Sequence, residues 1–373
     1  MRDREEIDCG VKKGMASTVC ELTGSACWRG LLRGALLLLL AAQGMHGAAT
    51  AQNAGTLYGP HGVSPLAVRQ GTLGSCYFHA SIAALAKQAP QTLRGAISRN
   101  PLGGYRVHFF DGPDENVFEE DVEYGRMHSF DRSEGEWVLV LMRGYAQRAL
   151  RRGLVTSIQR SDAIPAYAKP LALEWINHAG LLLVAYDRAI RSVISQDGQL
   201  DAVALKQSLT AQLKALGIPS AEAQMLVGFL DDRGFFIRMS RTVEQDGEVF
   251  GAYKSLGMGG IPVRVIEAFT GEARAGLVAD REMTMKYLLR LHSEGLAMAA
   301  GSWSRPPSAA YATSNWWVGA HTYTVLDYSE GAGTVRLRNP WGARPDPDGT
   351  FTLPLAEFFE GFESYSFSER PMP

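Results

Sequence analysis

Cysteine is scarce in this chain. Four occur in 373 residues, and Cys9, Cys20 and Cys27 all lie upstream of a stretch that reads as an export signal. Cys76 is then the single thiol of the remainder, which excludes an internal disulfide framework and a multi-cysteine structural zinc site. An excess of charge of either sign is also missing: 37 Lys and Arg stand against 39 Asp and Glu. Taking away residues 1–51 removes six basic and five acidic side chains and leaves 31 against 34. There is no basic field to draw nucleic acid and no acidic tail. Internal repeats and low-complexity tracts are absent as well, which excludes a solenoid. What is present, 46% hydrophobic and 20% charged residues, suits a folded globular protein with ample core.

The N-terminus predicts export. Arg29 and Arg33 precede a nine-residue apolar run at 34–42, and Ala49, Thr50 and Ala51 give a small-x-small cleavage site before Gln52. A positive region, a short apolar region and such a site make a secretory signal. The run is far short of the roughly 20 residues that cross a bilayer, so an uncleaved anchor is the weaker alternative and no stable span is expected after cleavage. Met15 offers a second start within the long leading region. The expected location is periplasmic or secreted.

Hydrophobic periodicity and breakers outline the rest. Residues 52–69 read as a lead-in loop. The spacing predicts a helix over 76–88, with Ser75 as N-cap and Pro90 closing it. Strands are expected at 105–110 and 116–122 around a turn at 111–114. A second helix is expected over 136–150, with Trp137, Val140, Leu141, Tyr145 and Leu150 on one face. Between 152 and 250 the pattern is mainly helical. A long helix at 171–194 is broken by Glu174, His178, Asp187 and Arg188 and reads as buried core, not membrane contact. Helices at 201–216 and 220–230 and a strand at 235–243 follow. From 257 onward strands dominate: 296–302, 320–328, 334–338 and 350–353, with turns at 331–333 and 346–349 and a short helix at 355–362. The fold class is α+β.

Three segments carry chemistry. Cys76 follows the glycine-rich turn 70–75, His321 lies in 319–325, and Asn339 lies in 338–342. A lone thiol in that setting is either an inert buried hydrophobe or a nucleophile. At a helix N-terminus the unpaired N–H groups stabilise thiolate, the reactive form. His321 can take the thiol proton and return one to a leaving amine. Asn339 can orient the imidazole, and Trp341 can roof that contact. The Gln70 side-chain amide and the Cys76 N–H can form an oxyanion hole. Taken singly, His321 is a core histidine, Asn339 a turn residue and Gln70 uninformative; the order and local context of all of them favour thiol acyl transfer. His79, one helical turn from Cys76, reads as structural. Residues 346–349 lack the calcium-loop spacing and read as a turn.

These segments resemble the calpain-type cysteine peptidases, a branch of the papain-like fold. Residues 70–77, Q-G-T-L-G-S-C-Y, resemble the family's Q-G-x-L-G-D-C-W. Residues 320–325, A-H-T-Y-T-V, resemble G-H-A-Y-S-V, and 338–342 match R-N-P-W-G in full. Softer likenesses lie in 136–150, in 253–271 and at the end of the chain. Ser75, Tyr77 and Ala320 depart from the pattern without removing a catalytic group. The resemblance implies a two-lobe fold: a helical, Cys-bearing lobe over 52–256 with an insertion at about 152–250, and a β-rich lobe bearing His and Asn over 257–373. It implies a peptidase with Cys76, His321 and Asn339 as triad, Gln70 at the oxyanion, Gly259 and Gly260 beside a polypeptide substrate, and a core without the family's EF-hand and membrane-binding modules. No cofactor is required by the sequence. Calcium is possible through the resemblance, but no ligands for it can be matched and no metal site is assigned. A transglutaminase-like acyltransferase and a silent peptide-binding homologue are the rival readings, the first disfavoured by Asn where that group uses Asp.

Overall fold

The helix expected at Cys76–Gln88 forms over those residues and is here α1. In this computed structural model, residues 57–160, 185, 188–189, 192–193, 201–232, 252–257 and 259–370 are described. The expected signal at 1–51, most of the helix at 171–194 and the strand at 235–243 lie outside them. Every residue from Tyr77 to Ala86 is buried. Alanine at 80, 83, 84 and 86 keeps the helix thin, so neighbours close on it from all sides and no polar face is needed.

Those neighbours come from two hydrophobic clusters. The first contains α1, the short helix α2 (Pro90–Gly95), and an antiparallel sheet in the order β1 (Ile97–Arg99), β2 (Tyr105–Val107), β3 (Glu115–Val117). Helix α3 (Glu119–Met127) and the long α4 (Trp137–Arg160) add to it, the latter through Trp137, Val138 and Leu141. Residues 119–122, expected as strand, open α3 instead. The Asp121 carboxylate accepts the Phe118 N–H at 3.1 Å, and three acids sit in the first turn, where the helix dipole favours them.

Helix α4 overruns its expected end at 150. Its basic residues are held inside by carboxylates: Arg143 by Asp121 at 2.7 Å, Arg151 by Glu115 at 2.6 Å, and Arg148 by Asp111. Burial pushes the Glu115 carboxyl up, against the pull of Arg151. Beyond it, α5 (Ala202–Ala215) presents Leu205, Leu209 and Leu213 on one face and packs with α6 (Ser220–Asp232). Helix α7 (Ala252–Gly257) returns to α4 with Tyr253 buried.

The region expected as strand-rich begins with a helix, α8 (Pro262–Thr270), and carries another, α9 (Arg281–Glu294). Val265, Ile266, Ala268 and Phe269 send α8 into the first cluster against α1. Helix α8 thus packs with the first cluster, which also takes in Ala297. The second cluster lies on an antiparallel six-stranded sheet. Its order is β4 (Ala273–Leu277), β9 (Phe362–Ser368), β5 (Met298–Ser302), β6 (Thr322–Ser329), β7 (Thr334–Arg338), β8 (Thr350–Pro354). Short helices α10 (Ala309–Thr313) and α11 (Leu355–Gly361) complete it. Among the described residues no helix is long and apolar enough to cross a membrane.

Candidate active site

Cys76 is the first residue of α1 and is partly exposed. The turn before it needs glycine for space. A Cβ on Gly71 would stand 2.0 Å from the Ser129 carbonyl oxygen, and one on Gly74 would stand 2.4 Å from that of Gly257. The strand-like lead into this turn is tied to the distant 338–340 segment: the Gln70 N–H donates to Pro340 O at 2.7 Å, and Arg338 Nη2 donates to Val68 O at 2.7 Å. Thr324 Oγ1 on β6 donates to Ala80 O of α1 at 2.9 Å. These bonds bring the three sequence segments together.

Within them, His321 and Asn339 are in direct contact, Nε2 to Oδ1 at 3.1 Å, and both are buried. The same Oδ1 accepts the Trp341 N–H at 3.1 Å. A backbone N–H can only donate, so the atom it meets is the amide oxygen, and His321 Nε2 must then be the protonated nitrogen. Nδ1 is left with its lone pair and has no partner among the described residues. Burial lowers the imidazole pKa to about 4, against the opposing Asn339 hydrogen bond, so the ring is neutral at pH 7. Ser302, at the end of β5, locks the backbone: its hydroxyl accepts the His321 N–H at 3.1 Å and donates to Val318 O at 2.6 Å. Trp341 covers the ring at 4.8 Å between centroids and is itself 36% exposed.

Cys76 and His321 share no hydrogen bond among the described residues. Tyr323 links their surroundings. It stands edge-on to His321 at 5.0 Å, and its phenol is pushed up first by burial and further by the nearby Cys76. Its hydroxyl is already occupied, donating to Trp316 O and accepting from Val318 N–H, both at 2.8 Å.

Gln70 commits one amide proton inside the turn. Nε2 donates to Leu73 O at 2.6 Å, while Oε1 is buried with no partner. One of its two amide protons is therefore held within the turn before Cys76. Gly260 lies against the Tyr77 ring, where a Cβ would stand 2.5 Å away, and Gly259 adopts φ +95° with open space around it. Both line a cavity of about 240 Å³ with Tyr77, Tyr145, Leu256 and Arg264.

Sequence reasoning missed Ser302, Asp131 and Ser133. A lone polar residue ending an apolar strand was the available clue to Ser302. Asp131 had none, because it meets His79 Nε2 at 3.0 Å across 52 residues. At 346–349 a turn forms: Gly349 N–H donates to Asp346 O at 2.9 Å, and Asp348 Oδ1 takes the Thr350 N–H at 2.8 Å. Among the described residues no three His, Cys, Asp or Glu side chains gather as a metal site.

No family model matches this chain, and no curated protein matches it. Among solved structures it aligns with the crystal structure of PepW from Lactobacillus rhamnosis HN001 (DR20), at 11% identity over 95% of this chain and 93% of that one. The TM-score is 0.29, and at that value the likeness carries no argument about fold or chemistry.

Proposed function

We propose that this chain is an exported, calpain-like cysteine endopeptidase on a papain-like, two-lobe fold, with a polypeptide as substrate. The observation that supports this best is the Trp341 N–H on Asn339 Oδ1. It fixes the imidazole with Nδ1 unprotonated, the form a general base requires.

In this reading Nδ1 of His321 takes the Cys76 proton, and the sulfur attacks the scissile carbonyl carbon. The carbonyl electron pair moves to oxygen, which the Cys76 N–H and the second Gln70 amide proton stabilise. Collapse breaks the C–N bond as the imidazolium gives its proton to the departing amine. Water, deprotonated by the same nitrogen, then releases the thioester as a carboxylate and restores the thiol. Asn339 holds the ring through both stages without exchanging a proton. The cavity at Gly259, Gly260 and Tyr77 offers an apolar recess for a substrate side chain.

Covalent capture tests the reading. An epoxysuccinyl peptide is expected to label Cys76 once per chain and to stop cleavage of a peptide library. Cys76→Ala is expected to abolish cleavage while leaving the fold intact. Cleavage that persists in a clean Cys76→Ala preparation would overturn it.

A further inference from the structure

Ser75 stands at the N-cap of α1, and its hydroxyl caps nothing. A serine there ordinarily adopts extended backbone and turns its oxygen onto the N–H of the second or third helical residue. Ser75 has φ −105° and ψ 28°, and its side chain makes no capping bond. Its Oγ lies 3.2 Å from His79 Nδ1 and 3.5 Å from Leu73 O. His79 is gripped from the other side, with Nε2 3.0 Å from Asp131 Oδ1, and that oxygen also receives the Ser133 hydroxyl at 2.6 Å. Ser75 and His79 have no solvent exposure, and the Asp131 side chain has 3%.

The hydroxyl is retained in either protonation state of the ring. It donates to Nδ1 of a neutral His79, and accepts from Nδ1 of a charged one, which also reaches Ser75 O at 3.0 Å. The consequence lies at the helix end. The N–H groups of Phe78 and His79 both reach Ser75 O, at 3.0 and 3.1 Å. Those of Cys76 and Tyr77 find no acceptor among the described residues. Asp131 also forms an antiparallel bridge with Gln70, so the same residue registers the segment that carries the amide.

We infer that His79 and Asp131 are positioning residues for Cys76. They draw the Ser75 hydroxyl away from α1 and so keep the Tyr77 N–H, the second of the helix, free to face the sulfur beside the Cys76 N–H, which an N-cap side chain does not reach. This rests on the peptidase reading for its purpose, but its test does not.

The test is the rate of Cys76 alkylation by iodoacetamide as a function of pH, in the whole protein, with thermal melting beside it. His79→Leu releases the Ser75 hydroxyl to cap the helix, and alkylation at pH 6 is expected to fall about fivefold, the effect of one N-cap bond. Adding Ser75→Ala to His79→Leu removes the released cap and is expected to restore the rate to within about twofold. His79→Gln, whose amide can still reach Asp131, is expected to retain most of the rate. His79→Leu leaves a buried carboxylate unpaired, so the comparison is repeated on His79→Leu/Asp131→Leu, which removes both partners together. Recovery on adding Ser75→Ala in either background supports the inference. An unchanged rate in His79→Leu, or a loss that Ser75→Ala does not reverse, overturns it and leaves the pair as packing alone. A wild-type protein that follows the alkylation pattern but cleaves no peptide would instead overturn the peptidase reading.

Discussion

At the scale of the residue, the backbone just before His321 is under strain. Ala320 has φ +50°, a region where a Cβ crowds the following carbonyl at a cost of about 1 kcal/mol. Its side chain is exposed and its N–H is bound to Trp303 O at 2.9 Å, so nothing nearby rewards the methyl. Ala320→Gly is expected to raise stability by up to about 1 kcal/mol in urea unfolding; a loss of stability would refute the strain. His321 itself carries a pH signature. Its folded pKa, about 4, lies below the ordinary unfolded value near 6.5. Above pH 6.5 the ring is neutral in both states. As pH falls from 6.5 to about 4, the unfolded chain binds a proton that the folded ring refuses. The group's contribution to stability is then lost by on the order of 3 kcal/mol. Proton NMR on Cys76→Ala, where no thiolate can perturb the ring, is expected to place the His321 midpoint near 4. A midpoint near 6.5 would show the imidazole to be wetter than its burial implies.

At the scale of the element, the proposed pairing of Cys76 with His321 requires α1 and β6 to stay docked. Thr324 Oγ1 on the Ala80 carbonyl is a direct tie between them. Thr324→Val keeps the shape and deletes the bond, so a loss of about 1 kcal/mol is expected in urea unfolding; an unchanged midpoint would mean that packing alone sets the docking. How far the elements were legible follows from the kind of force that shapes each. Helix α1 was read to its last residue, because its apolar run ends at Pro90 and its neighbours ask only for small side chains. Strands β6 and β7 were read to within two residues, since β-branched and apolar residues flank an obvious glycine turn at 331–333. The start of α3 reads as strand in the sequence, because Asp121 acts there through a side-chain bond to the Phe118 N–H. The length of α4 is not legible in the apolar spacing, because Arg148 and Arg151 are buried on carboxylates far away in sequence. Strand β9 went unread because its alternation is set by pairing with β4 and β5. The candidate site divides the same way. Cys76, His321 and Asn339 stand in local patterns, whereas Ser302 and Asp131 matter only through partners that tertiary structure brings to them.

At the scale of the whole molecule, residues 152–250 were read as an insertion, yet α4 runs on through 152 to Arg160. Arg151, just before that boundary, is buried on Glu115. A deletion beginning at 152 would cut a continuous helix beside this pair. A deletion of 161–250, bridged by a short glycine-serine linker, spares α4 and the return of Tyr253. It is expected to give a soluble protein whose Cys76 alkylation stays within about twofold of wild type while its cleavage preference on a peptide library shifts. An unchanged cleavage profile would remove any gating role from the segment, and failure to fold would make it part of the core.

The strand order has a consequence in time. β9 is made after every other strand and yet lies inside the sheet, between β4 and β5. While a ribosome is still adding residues 362–368, that sheet has a gap beside the strand whose Ser302 holds the His321 backbone. Pairings this remote in sequence form late. The Ser302 anchor of the His321 backbone is therefore set beside a strand pairing that joins residues sixty or more positions apart, and it gains its β9 neighbour only when 362–368 are in place.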